Sequence, residues 1–191
     1  MVLKLVKIGL PLFVVAFLAW VIFAPPQRVG YAPEQPIAYS HALHAGKHGM
    51  DCQYCHTGVA VNKKAGVPSL NICMNCHAYG TMGYSGGKLS PEIAKLKKYY
   101  EEKKSPEWIR VHNLPDHVRF AHAPHIKALL KEGAPTKEAC VPCHGQVEQM
   151  VVVSQVMPLN MGFCVNCHRD YRNAHEYRNR GVAVSCNFCH Y

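Results

Sequence analysis

The sequence predicts a mainly irregular and α-helical fold wrapped around covalently held prosthetic groups, with one N-terminal transmembrane helix. Two observations carry this expectation. The pattern Cys-x-x-Cys-His occurs five times in 191 residues and uses all 10 cysteines. Residues 8–24 contain no charged side chain, while the chain from residue 41 to residue 89 has no long periodic segment that could make a large helix or sheet.

The five motifs are Cys52-Gln-Tyr-Cys55-His56, Cys73-Met-Asn-Cys76-His77, Cys140-Val-Pro-Cys143-His144, Cys164-Val-Asn-Cys167-His168 and Cys186-Asn-Phe-Cys189-His190. Two thiols at this spacing can add to the two vinyl groups of one haem, and the histidine that follows is placed to bind the iron from one face. A single copy could be half of a zinc site or a redox dithiol. Five copies exclude those readings, because neither zinc sites nor disulfide frameworks require a histidine after every second cysteine. The sequence therefore predicts five covalently bound haem c groups.

The N-terminal run, with Lys4 and Lys7 before it, reads as a secretion signal or an anchor. Pro25 and Ile22 around Ala24 make a poor peptidase site, so a retained helix over residues 1–26 is expected. The positive-inside rule then leaves the lysines in the cytoplasm and the rest of the chain on the periplasmic face of the inner membrane, crossing once. The prolines between residues 25 and 39 suggest an extended tether.

Four segments follow from this: an anchor over residues 1–26, a first module with two haems over 27–89, a helical linker over 90–107, and a second module with three haems over 108–191. Ser90-Pro91-Glu92 supplies an N-cap, a first-turn proline and a first-turn acid, predicting a helix as far as Lys104. Its mixed-sign charges read as a solvated face.

Each module opens on the same pattern. His41-Ala-Leu-His44 stands upstream of the first motif, and His122-Ala-Pro-His125 stands upstream of the third. Two imidazoles three residues apart cannot easily serve one face of one iron, so each pair is expected to bridge two haems as distal ligands. Five irons need five distal ligands, and the pairs supply four. His48, His112, His117, His175 and the methionines remain, of which Met161 and Met157 are best placed before Cys164. Met161 is the expected fifth ligand and His112 its alternative.

Composition sets limits on function. The formal charge of +9 falls to roughly +4 once each oxidised haem with ionised propionates contributes about −1. No basic run is interleaved with aromatic residues, so a nucleic-acid partner is not expected. Every motif ends in histidine and enough donors exist to close all five irons, which argues against an open catalytic iron.

The His-x-x-His pairs before Cys-x-x-Cys-His are similar to class III, c3/c7-like multihaem cytochromes. A closer resemblance, over essentially the whole chain, is to the membrane-anchored pentahaem subunit of bacterial alternative complex III. It is carried by His41-Ala-Leu-His-Ala-Gly46, Asp51-Cys-Gln-Tyr-Cys-His-Thr57, Val67-Pro-Ser69, Ile72-Cys-Met-Asn-Cys-His77, Trp108-Ile-Arg-Val-His-Asn-Leu-Pro-Asp116, Cys140-Val-Pro-Cys-His-Gly145 and Met161-Gly-Phe-Cys-Val-Asn-Cys-His-Arg169. The resemblance implies two c3/c7-like modules in a respiratory-chain complex. Its quinol-oxidising membrane and iron-sulfur subunits would supply electrons, and a monohaem cytochrome c or similar acceptor would take them. No catalysis is expected from this chain alone. The alternative is a stand-alone quinol dehydrogenase feeding a periplasmic reductase, although such proteins tend to carry a methionine soon after the first motif, where this chain has Thr57-Gly58-Val59.

Overall fold

The computed structural model describes residues 11–20, 28–78, 82–85, 88–173 and 184–191. Residues 11–20 form a helix, α1, whose apolar side chains are almost all exposed, among them Leu12, Phe13, Phe17 and Trp20. Most of the predicted anchor lies outside the described residues. Within them, no helix is long and apolar enough to cross a membrane.

Short elements follow along the chain. A π-helical turn, Ala42–Lys47, carries the first histidine pair, and α2 (Cys52–Cys55) and α3 (Leu70–His77) carry the first two motifs. A two-stranded antiparallel ribbon, β1 (Tyr84–Ser85) with β2 (Lys88–Leu89), leads into α4 (Pro91–Glu101). The second histidine pair lies on α5 (His122–Leu129) and the third motif on α6 (Lys137–His144). After a 3-10 turn at Val147–Gln149 come α7 (Met161–Asn173), which holds the fourth motif, and α8 (Cys186–Cys189), which holds the fifth.

The linker helix is shorter than the sequence suggests. Pro91 occupies the first turn and Ser90 the cap position, but the Ser90 side chain makes no capping bond. Glu92 instead accepts the Ala38 N–H at 2.7 Å and pairs with Lys95 at 2.7 Å, tying the helix start to the tether. At the other end Lys103 adopts a left-handed φ of 52°. The Lys103 N–H then donates to the Tyr100 carbonyl at 3.1 Å and the Lys104 N–H to that of Tyr99 at 3.0 Å. These two bonds close the helix in the pattern usually made with glycine.

Very little apolar interior exists. Among the described residues only Ile37, Val59, Leu96, Ile126 and Ala139 are buried hydrophobics. Val59, Ile126 and Ala139 form one cluster with Ala65, Leu129 and Leu130 packed on it, so the small core draws on both halves of the chain. Backbone bonds also cross between the halves. The Ala42 N–H donates to the Met150 carbonyl at 2.9 Å, the His122 N–H to Lys63 at 3.0 Å and the Ala123 N–H to Asn62 at 3.3 Å. Gln35 adds a side-chain clamp, with its amide donating to the Ile109 carbonyl at 2.9 Å and accepting the Ile109 N–H at 2.9 Å.

The halves also meet closely at Gly46. A Cβ there would collide with the Glu148 carbonyl oxygen, a backbone atom that cannot swing away. Gly46→Ala is expected to destabilise the fold by about 1–3 kcal/mol through overpacking, measured by denaturant unfolding. Gly46 is not among the glycines with a positive φ, so backbone strain adds nothing there, and an unchanged unfolding midpoint in Gly46→Ala would contradict the Glu148 contact.

Candidate haem-binding sites

All five cysteine pairs fall on helices, and in three motifs the histidine does too, which has a direct chemical use. Residues i, i+3 and i+4 share one face of a helical turn, so Cys-x-x-Cys-His wound helically presents two sulfurs and one imidazole to the same side. In α3 and α6 the histidine is the last helical residue, in α7 it lies inside the helix, and in α2 and α8 it follows directly. Asp51 helps to start α2 by accepting the Gln53 N–H at 2.7 Å.

The motif histidines are matched by imidazoles from distant parts of the chain. The ring centroid of His44 lies 6.2 Å from that of His77, His122 lies 6.4 Å from His144, His125 lies 5.9 Å from His168, and His117 lies 5.5 Å from His190. His41 lies close enough to His56 to feel its charge: burial, then His56, then His44 lower the His41 pKa to about 4. One iron held between two imidazole nitrogens at about 2 Å each separates the ring centroids by roughly 6 Å, whatever the twist between the ring planes. The four measured spacings therefore fit an iron between the rings. Among the described residues, no group of three or more His, Cys, Asp or Glu side chains is arranged to hold a bare metal ion.

Protonation of the rings also fits. Imidazole binds metal through one nitrogen, and the partner of the other nitrogen sets tautomer and orientation. The Nδ1–H of His44 donates to the Ser40 carbonyl at 2.8 Å and that of His125 to the Ala121 carbonyl at 2.7 Å, each four residues back. His56 donates likewise to Gly66 at 2.8 Å and His122 to Lys63 at 3.1 Å. Nε2 of all four is thereby left to bind a metal. His144 is held neutral by burial and then by its imidazole neighbours, which bring its pKa down to about 4.

The two histidine pairs are built alike. Tyr39 lies edge-on to His41 at 4.8 Å and nearly parallel to His44 at 4.4 Å. Phe120 repeats this with His122 at 4.9 Å and His125 at 4.6 Å. An aromatic residue two positions before the first histidine thus packs on both rings. The recurrence of Tyr39 and Phe120 at equal offsets is visible in the sequence, although its meaning emerges only from the rings.

The cysteines show which motifs are neighbours. Burial, then Cys73 and the other nearby thiols, push the Cys55 thiol up, joining the first and second motifs. Cys52 lies within hydrogen-bond reach of Cys140, which draws the Cys52 thiol down to about 7, and this joins the first and third. Burial and then Cys167 and Cys164 raise Cys143, while burial and then Cys189 and Cys167 raise Cys164. The motifs therefore stand in the order second, first, third, fourth, fifth.

Met161 is the first residue of α7 and 67% exposed. His112 packs edge-on against His144 at 4.4 Å, too close to oppose it across an iron, and its buried Nε2 has no hydrogen-bond partner. His175 lies outside the described residues.

No family model matches the chain. Over 194 aligned residues it is 28% identical to the multiheme cytochrome c subunit of menaquinone reductase from Nitratidesulfovibrio vulgaris, an alignment that spans 94% of this chain and 87% of that one. The relative carries a multihaem name, as the motif count suggests, but its name is that of a menaquinone reductase and not of alternative complex III.

Replacing His41 with alanine should perturb a haem held at the first motif and replacing His44 one held at the second, because His41 lies near His56 and the His44 ring lies 6.2 Å from that of His77. Optical spectra and redox titration of the two variants check this. The same single haem altered in both would contradict the bridging arrangement.

Proposed function

We propose that the chain is a membrane-anchored pentahaem c-type cytochrome, the electron-conducting subunit of a quinone-linked membrane complex. Its haem domain lies on the periplasmic side and exchanges electrons with a monohaem cytochrome c or similar carrier. The observation that supports this reading is the set of five Cys-x-x-Cys-His motifs, four of them with a second imidazole 5.5–6.4 Å from the motif histidine and the first with His41 beside His56.

Bound haem supplies one-electron oxidation and reduction. The cysteine pairs would anchor it, and His56 with His41, His77 with His44, His144 with His122, and His168 with His125 would hold the iron. Two closed faces leave no room for a substrate on the iron, which supports conduction over catalysis. His41 to His44 bridges the second and first sites, and His122 to His125 bridges the third and fourth. Each bridge spans a single helical turn, so neighbouring sites are held close. The fourth and fifth sites approach through Cys164 and Cys189.

The direction of flow follows the partner complex. In the reading based on alternative complex III, a quinol-oxidising core with an iron-sulfur subunit delivers electrons to this chain. A second reading, in which a periplasmic donor sends electrons inward to reduce quinone, is supported by the name of the menaquinone reductase relative.

Extraction in mild detergent tests the proposal. Expected is a haem-staining polypeptide that keeps its N-terminal helix, carries five haems, co-purifies with multispanning and iron-sulfur proteins, and does not oxidise quinol once separated from them. Quinol-dependent reduction of the isolated chain would favour the stand-alone dehydrogenase, and a chain without covalent haem would overturn the cytochrome assignment.

A further inference from the structure

We infer that His117 is the distal ligand of the fifth haem, which makes all five irons bis-imidazole and leaves Met161 without a ligand role. The inference rests on the reading of the five motifs as haem sites.

The argument begins with the four histidines of the two His-x-x-His pairs. His41 and His44 face His56 and His77, while His122 and His125 face His144 and His168. Met161 belongs to the helix of the fourth motif, whose histidine already has His125 opposite it. The motif without a partner from these pairs is the fifth. Its histidine, His190, is faced by His117 at a centroid distance of 5.5 Å with the planes only 20° apart.

That approach is built into the backbone. Residues 117–119 run antiparallel to residues 189–191, with a bridge between Val118 and His190. The Arg119 N–H donates to the Cys189 carbonyl at 2.7 Å, and the Tyr191 N–H donates to the His117 carbonyl at 3.3 Å. The Arg119 guanidinium lies 4.2 Å from the Tyr191 ring centroid, and Lys63 Nζ donates to the Tyr191 hydroxyl at 3.4 Å. Two backbone bonds and these side-chain contacts thus hold the segment that carries His190 against the one that carries His117.

The chemical consequence concerns the end of the row. A thioether is a softer and less basic donor than imidazole and favours ferrous iron, so a His/Met haem would have the highest potential in the chain. With His117 in that position the terminal iron has the same ligand set as the other four. An electron leaving or entering there meets no high-potential sink created by the axial ligand.

The test uses the full-length, haem-loaded protein. Wild-type protein should lack a methionine-to-iron charge-transfer band, and Met161→Leu should leave every haem low-spin at unchanged potential. His117→Gly should turn one haem high-spin, with added imidazole restoring the low-spin spectrum. His117→Met, which keeps a donor in place, should create the methionine band and raise the potential of one haem. A methionine band in the wild type that Met161→Leu abolishes would overturn the assignment. So would His117→Met and His117→Gly spectra identical to the wild type. A wild-type chain with no covalent haem would bring down the reading of the motifs, and this inference with it, by a plainly different result.

Discussion

An imidazole that binds iron must commit one nitrogen to the metal and still face in a fixed direction, and in the proposed holoprotein ten rings would have to meet that demand. Helical winding in α3, α6 and α7 aims one ring together with two sulfurs. Backbone carbonyls at Ser40, Ala121, Gly66 and Lys63 take the Nδ1 protons of four rings. Tyr39 and Phe120 pack on both rings of their respective pairs. Only five buried apolar residues appear among those described, so hydrophobic burial does little of the ordering by itself. Covalently held haem, large and apolar, supplies the missing interior in the proposed holoprotein.

The motifs were legible in the sequence because their chemistry is local. Cys52, Cys55 and His56 act within one helical turn, and spacing alone reveals them. The repeated His-x-x-His was legible for the same reason. The partners were not, since His44 and His77 or His125 and His168 are brought together by the tertiary fold and no periodicity links them. The fifth site shows the limit most clearly. Proximity in sequence to Cys164 favoured Met161, whereas the antiparallel pairing of residues 117–119 with 189–191 brings His117 to His190. The sequence carries a helix on to Lys104, whereas Lys103 takes a left-handed conformation for which glycine is the usual signal.

The order of the motifs in space differs from their order in the chain. The two modules meet through Cys52 and Cys140, so the first and third motifs are neighbours and the second becomes an end of the row. A duplicated unit with a His-x-x-His bridge accounts for this, each bridge joining two sites inside a module while the modules join at their first sites. The row then has two ends that partners could use, one at the second motif beside α4 and one at the fifth beside Tyr191. Nothing in the geometry requires a branch.

The central claim is that five bis-imidazole irons form this single row. Locating the irons of the holoprotein by anomalous scattering at the iron edge would test it directly. The account predicts five peaks in the order second, first, third, fourth, fifth, with each iron lying between two imidazole nitrogens and closest to its neighbours in that series. A second-motif iron adjacent to the third or fourth, or a fifth iron with a ligand other than His117 opposite His190, would contradict it.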